Sequence, residues 1–196
     1  MTLYTSPPEG ATTVGADERG PVTPRPFPPA PGWSPAGHRI KAPLEYRRGP
    51  EKVWVYGALR VRDGRAVTLT TRARNTAGDL KLLEALAGAN PIGDRYLVTA
   101  NLASHKSPAI QAWLAANPRV QQVFIPKGAC WLNLQEAWWR LFRRQALAGQ
   151  TFADDEEIDR ATAVATRQRN RRAKPWGWGR PERPPRRLRH PFVYRI

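Results

Sequence analysis

The hydrophobic period of this chain changes part-way along its length, and that change limits the folds open to it. Residues 52–62 and 65–72 alternate between apolar and polar side chains, which predicts two strands. Asp63-Gly64 joins them, and Asp-Gly between two β-rich runs is a strong signal for a hairpin turn. From residue 76 onward the apolar residues recur about every 3.6 residues, which is the period of an α-helix. The chain therefore combines an antiparallel hairpin with helical segments.

Helices and short buried strands alternate through the rest of the sequence. Thr76, with Asp79 three residues later, predicts a capped helix start, followed by an apolar stripe of Leu80, Leu83, Leu86 and Ala87. Ser107-Pro108 reads as the N-cap and first position of another helix that ends at Asn117-Pro118. Further strands are predicted at residues 12–17, 95–99 and 120–125, and further helices at 131–148 and 154–173. This order predicts an α/β fold with a mixed sheet flanked by helices on both faces.

The two ends of the chain differ in composition from its middle. Residues 1–50 hold eleven prolines, and the segment from residue 174 onward is rich in Pro, Arg and Trp. Proline removes a backbone donor and fixes φ, so both regions are expected to contain little regular structure. We therefore divide the chain into an N-terminal extension (1–11), a domain (12–173) with a Pro-rich insertion (20–50), and a basic tail (174–196).

The net charge of +16 points to a polyanionic partner. It is unevenly placed, since residues 167–196 carry eleven Lys or Arg and one acid. A basic protein without such a partner is the alternative. The start of the sequence is not expected to be a signal peptide, and no apolar stretch in it is long enough to cross a membrane. Cys130 is the single cysteine, which excludes an internal disulfide and suits a reducing cytoplasm. The three histidines and this cysteine are scattered without the spacing of zinc ligands.

Three positions in the sequence follow a predicted buried segment, where catalytic residues are often found. Asp17 follows the apolar run of residues 12–16, and Glu136 follows the run of residues 131–135. Ala100 follows residues 96–99 and precedes a polar loop. A buried strand that breaks into a polar loop is a usual way to present a catalytic side chain. Two of the three places therefore carry a carboxylate, and the third carries a methyl group.

Four segments of the chain together resemble a known family. They are GADERGP (15–21), TANLASHKSPAIQAWLAANPRV (99–120), FIPKGACWLNLQEAWW (124–139) and QRNRRAKPWGWGRP (168–181). The chain resembles the catalytic domain of bacterial insertion-sequence transposases related to the mariner group, which are DDE-type transposases. The resemblance runs from about residue 7 to the C-terminus and implies a ribonuclease H-like fold.

The resemblance also implies a metal site. Such enzymes cleave DNA with two divalent ions, Mg²⁺ or Mn²⁺, which acids from different elements hold. By position, Asp17 would be the first metal ligand and Glu136 the third, and both would be catalytic. The second position, Asp-Asn in the family, is Ala100-Asn101 here. Each acid has a plainer reading: Asp17 could end a strand in a turn, and Glu136 could pair with Arg140.

The vacated position predicts a loss of activity. Asp94, Asp63 and Asp79 are acids that could substitute for the one missing at position 100, and none is well placed in the sequence. We therefore expect that the chain cannot carry out transposition chemistry by itself. A non-catalytic DNA-binding or interaction protein derived from a transposase is the second reading. A metal nuclease with an unforeseen ligand is the third.

Several polar and basic residues are expected to contact DNA. Asn101, His105 and Lys106 fit a loop beside the scissile phosphate, although His105 could instead cap the helix that begins at Ser107. Arginines interleaved with tryptophans can neutralise phosphates and stack on bases, although a solvated tail is the alternative. The remaining candidates are Arg140, Arg143, Arg144, Arg169, Arg171, Arg172, Lys174, Trp176 and Trp178.

The expected partners follow from the same resemblance. They are DNA (transposon ends and target), a second copy of the chain on DNA, and a separately encoded helix-turn-helix protein, because relatives carry such modules before this domain. No membrane partner is expected. The expected location is the bacterial cytoplasm, at the nucleoid.

Overall fold

A five-stranded mixed sheet forms the centre of the fold. The computed structural model describes residues 2–24, 32–33, 39–40 and 51–177 of the 196. The strands are β1 (Thr12–Val22), β4 (Val53–Arg60), β5 (Ala66–Thr71), β6 (Arg95–Thr99) and β7 (Val120–Phe124), and β2 (Gly32–Trp33) pairs separately with β3 (Arg39–Ile40). The sheet order is β5-β4-β1-β6-β7. The β5-β4-β1 half is antiparallel, whereas β1, β6 and β7 run parallel.

Helices cover both faces of this sheet. They are α1 (Thr2–Thr5), α2 (Thr76–Ala89), α3 (Pro108–Ala116), α4 (Leu134–Phe142) and α5 (Asp155–Arg171). Leu83 of α2 and Ile110 of α3 belong to a core cluster with Val14 of β1. Trp138 of α4 and Ala165 of α5 belong to a second cluster on the other face, with Val55 of β4. The predicted α/β fold with a helix-flanked mixed sheet, consistent with the ribonuclease H-like type, is confirmed.

The start of α2 differs from its prediction. Asn75, not Thr76, is the N-cap, because its extended backbone lets its side-chain oxygen accept from the Gly78 amide at 3.0 Å. Asp79 is therefore free of capping and is buried on the sheet side of the helix. The apolar stripe is also shifted, since Leu82 is buried with Leu83 and Leu86.

The predicted helix over residues 131–148 is divided in three. Cys130–Leu132 form a 3₁₀ turn, α4 begins after its N-cap Asn133, and Arg143–Leu147 form a π-helical turn. The Asn133 side chain accepts from the Gln135 amide at 3.1 Å and donates to the Ala16 carbonyl at 2.7 Å. This double contact to α4 and β1 fixes the break, which helical periodicity alone does not show.

Strand β1 is longer than the predicted span of residues 12–17. It reaches Val22 because β4 continues to pair with it, up to Val22 opposite Val53. Asp17 therefore lies inside a strand rather than at its end. The hairpin, β6 and the Ser107 N-cap of α3 agree with their predictions.

The described start of the basic tail lies against the hairpin. The Trp176 amide donates to the Val61 carbonyl at 2.9 Å, and the indole is half-buried beside the second core cluster. Gly64 has φ +73°, and a Cβ there would collide with the Lys174 carbonyl. Trp178 and most of the predicted Pro-rich insertion lie outside the described residues. Within the described ranges, no helix is long and apolar enough to cross a membrane.

Candidate active site

Asp17 lies on β1, and Glu136 lies on α4, the helix whose Trp139 contacts Asp17. The Trp139 Nε1–H group of α4 donates to Asp17 Oδ2 at 3.2 Å. Glu136 lies in the first turn of the same helix, near enough for its charge to act on Asp17. The structure thus brings together the two acids that the sequence proposed as metal ligands.

Two glycines allow α4 to lie this close to the sheet. A Cβ at Gly57, which pairs with Asp17, would lie 2.6 Å from Gln135 Nε2 and 2.7 Å from the Trp139 ring. A Cβ at Gly15 would lie 2.7 Å from Asn133 Oδ1. Because Gly15 and Gly57 have no Cβ atom, the N-terminal turn of α4 packs directly on β1 and β4. This close approach is what places Glu136 beside Asp17.

The environment of Asp17 disfavours its negative charge. Burial, then the charges of Glu136 and Glu18, raise the pKa of Asp17 to about 7, against its ordinary 3.8. The Trp139 hydrogen bond offsets only part of this effect. Two acids that repel each other in a partly dry site form a donor set that a divalent cation would neutralise, so the residues present fit a cation.

Ala100 occupies the place beside Asp17 on the next strand. The parallel register pairs Gly15 of β1 with Val98 of β6. If this register is extended by two residues beyond its last pair, position 100 falls opposite Asp17, on the face that α4 covers. A methyl group, not an acid, stands at that position of the sequence.

The other acids that could replace the missing ligand lie elsewhere. The Asp94 carbonyl accepts from the Thr12 amide, which places Asp94 at the opposite end of β6. Asp63 is bound to Arg60 in the hairpin turn. Asp79 lies on the other face of the sheet. None of the three reaches the site.

A second buried cluster lies behind the site, on the α2 face. His105 Nε2 lies 2.8 Å from Glu18 Oε1 and 3.4 Å from Asp79 Oδ1. All three side chains are nearly inaccessible, with 3–6% of their surface exposed. Burial alone would lower the pKa of His105, but hydrogen bonds to Asp79 and Glu18 outweigh it and raise that pKa to about 10. The histidine is therefore held as an imidazolium between two carboxylates.

The loop after β6 differs from a simple DNA-contacting loop. His105 faces inward, and its other nitrogen, Nδ1, donates to the Ala100 carbonyl at 2.8 Å. Ser107 itself caps α3, so the alternative of a His105 cap is not seen. Asn101 is half-buried, and its Oδ1 has no hydrogen-bond partner among the described residues. Lys106 is exposed, with its Nζ 5.1 Å from the centre of the Phe124 ring.

Most of the basic candidates lie on the surface. Arg169 is the exception: its guanidinium lies 5.6 Å from the Trp138 ring centre, and burial lowers its pKa. Glu136 and Arg140 are not among the ion pairs formed by the described residues, so that plainer reading of Glu136 lacks its contact. The exposed residues are Arg140, Arg143, Arg144, Arg171, Arg172 and Lys174.

Sequence reasoning missed the inward-facing partners of the site. Glu18 follows Asp17 directly, and neighbouring residues in a strand point to opposite faces. That alternation could have shown that Glu18 faces α2 while Asp17 faces α4. The contacts of Gln135 and Trp139 with Gly57 had no comparable signal, because they depend on where α4 crosses the sheet.

The fold and the two carboxylates define an α/β domain, consistent with the ribonuclease H-like type, with a candidate metal centre on its central strand β1. The family model described as DDE superfamily endonuclease matches residues 12–159, which is more than half of the chain. The chain therefore belongs to the DDE superfamily of endonucleases. Its family implies a DNA substrate, and domains of this family generally use divalent metal ions. None of the curated proteins matches the chain.

Proposed function

We propose that this chain is a transposase catalytic domain whose metal centre, built on Asp17 and Glu136, is disabled by Ala100. One observation supports the proposal: Asp17 is largely buried and feels the charge of Glu136, and the register of β1 with β6, extended by two residues, puts position 100, an alanine, opposite Asp17. Family membership supports the reaction class, which is phosphodiester cleavage and strand transfer on DNA.

Only some of the functions of such a site have residues in this chain to perform them. A bound Mg²⁺ or Mn²⁺ would polarise the phosphate and activate the attacking oxygen. Asp17, oriented by the Trp139 indole, and Glu136, carried by the first turn of α4, would hold it. With two acids instead of three, the chain lacks a ligand for a two-ion arrangement. We therefore expect cleavage to be slower by several orders of magnitude than with a complete set.

The finer identity belongs to the same proposal. We propose an insertion-sequence origin related to the mariner group, a bacterial host and a location at the nucleoid. The motifs around Asp17, Ala100 and Glu136 and the net charge of +16 support it. Assembly with a second copy on DNA and with a separately encoded helix-turn-helix protein are further parts of it. Size measurements with and without DNA, and co-purification, would test these two.

A second candidate is a non-catalytic DNA-binding protein that keeps the fold. The exposed arginines around the end of α4 and the end of α5 favour it, together with the methyl group at position 100. Such a protein could compete with active copies for DNA. It would bind DNA in a salt-dependent way whether or not position 100 carries an acid.

Nicking of supercoiled plasmid DNA, and of element-end DNA where it is known, in Mg²⁺ or Mn²⁺ separates these readings. Three proteins are compared: the unchanged chain, Ala100→Asp, and Ala100→Asp combined with Glu136→Gln. We expect cleavage by Ala100→Asp alone. Cleavage by the unchanged chain would refute the loss of activity. DNA binding without cleavage by any of the three would favour the second candidate, and no DNA binding at all would contradict both.

A further inference from the structure

We propose that His105 is a positioning residue that holds position 100 beside Asp17, acting from the opposite face of the sheet through Glu18. This inference rests on the proposed function for the identity of the site, but the contacts that carry it are independent of a metal. It assigns a role to the buried Glu18–His105–Asp79 cluster, which the proposed reaction does not otherwise use.

The two ring nitrogens of His105 bond to two different parts of the chain. Nδ1 donates to the Ala100 carbonyl at 2.8 Å, and Nε2 donates to Glu18 Oε1 at 2.8 Å. Glu18 is the residue after Asp17. One ring therefore ties the backbone of position 100 to the strand residue adjacent to the first proposed ligand.

The strand pairings of β6 end before residue 100. The pairing of β6 with β1 ends at Val98 opposite Gly15, and its pairing with β7 ends at Thr99 opposite Phe124. The Thr99 carbonyl accepts one last bond, from the Ile125 amide at 3.0 Å. Ala100 comes after these pairings, so its carbonyl takes its bond from the His105 side chain instead of from a neighbouring strand.

The protonation of the His105 ring follows from its hydrogen-bond partners. Both Nδ1 and Nε2 face acceptors, and a neutral imidazole has only one N–H to donate. Only an imidazolium can donate from both nitrogens, and Asp79 Oδ1 at 3.4 Å is a second acid oxygen near the ring that favours this form. A charge-assisted hydrogen bond of this kind is shorter and stronger than a neutral one, which suits a fixed link.

Stability alone is a poor reason for such a cluster. Buried ion pairs often contribute little, because desolvation offsets their attraction. Asp79 Oδ2 is buried and has no hydrogen-bond partner among the described residues, which adds a cost. A cluster with this cost is better explained by the geometry it imposes, since a metal site needs its ligands held within about 0.5 Å.

Hydrogen exchange of the intact chain tests the link itself. His105→Gln keeps a donor that can reach Glu18 but has none at the Nδ1 position, whereas His105→Asn keeps a donor near that position. Ser104→Ala, in the same turn, is the matched control. We expect His105→Gln to raise amide exchange at Lys106 and Ser107, which donate to Ala103 and Ser104 in the turn that carries His105, at least tenfold, with a smaller rise in His105→Asn and no change in Ser104→Ala or in β4.

The same variants placed on Ala100→Asp test the consequence for the site. We expect Ala100→Asp to bind Mn²⁺ in calorimetry, and addition of His105→Gln to weaken that binding at least about tenfold, as loss of an outer-shell partner does. His105→Asn should recover part of the affinity.

Each outcome has a separate meaning. Unchanged exchange at Lys106 and Ser107 in His105→Gln, or an equal rise in β4, would overturn the positioning role, the latter because it marks a merely structural residue. Unchanged Mn²⁺ affinity in the double variant would overturn it as well. Raised local exchange together with no Mn²⁺ binding by Ala100→Asp would uphold the link and instead contradict the proposed metal centre.

Discussion

Replacing Asp17 by Asn should stabilise the protein when no metal is present. Asn removes the charge that burial, Glu136 and Glu18 disfavour, and its side-chain oxygen can still accept from Trp139 Nε1. The substitution therefore removes an unfavourable charge and keeps the hydrogen bond. Asp17, a proposed metal ligand, is therefore expected to lower the free energy of unfolding of the metal-free protein.

The magnitude follows from the pKa of Asp17. A rise from 3.8 to about 7 corresponds to at most about 4 kcal/mol, at 1.36 kcal/mol per unit, and to about 2 kcal/mol if solvent screens half of it. Because the folded state holds the proton more tightly than the unfolded chain, stability from this group falls as pH rises from about 4 to 7. Above pH 7 the contribution stays constant.

Urea unfolding with EDTA at pH 4.5 and pH 8 measures this effect. Asp17→Asn should exceed the unchanged chain by about 2–4 kcal/mol at pH 8 and by much less at pH 4.5. Glu84→Gln, which removes an exposed acid of α2, is the control and should change little at either pH. An Asp17→Asn effect of the same size at both pH values, or a destabilisation at pH 8, would refute the reasoning.

Three further perturbations test the surroundings of the site. Gln135→Leu should stabilise by about 1–2 kcal/mol in urea unfolding, because both amide atoms are fully buried without partners among the described residues. Gly57→Ala should destabilise by about 1–3 kcal/mol in the same assay, because the new Cβ meets the buried Trp139 ring. Arg143→Ala with Arg144→Ala should weaken DNA binding and lower its salt slope by about two in fluorescence anisotropy, whatever the DNA sequence. An unchanged or opposite result in any of these would contradict its stated cause.

The parts of the fold that the sequence predicted are those with local causes. The Asp63-Gly64 turn, the apolar run of β6 and the Ser107-Pro108 start of α3 each depend on a few adjacent residues. Their periodicity and turn chemistry are visible without any tertiary contact. The α/β class could be predicted for the same reason.

The parts that the sequence could not predict depend on contacts between distant residues. Asn133 interrupts the predicted long helix because it bonds to Ala16, which is far away along the chain. Asp79 resembles a capping residue locally, yet it turns toward His105 because Asn75 already caps the helix. The link from His105 to Glu18 joins residues of different elements and has no local signature.

Restoration of the acid at position 100 is the most direct test of the central claim. Plasmid nicking in Mn²⁺ is measured for the unchanged chain and for Ala100→Asp at equal concentration and equal DNA binding. The account predicts cleavage by Ala100→Asp at a rate at least a hundred times that of the unchanged chain, and loss of that cleavage when Glu136→Gln is added. Equal cleavage by the unchanged chain and Ala100→Asp, or cleavage that persists with Glu136→Gln, would contradict it.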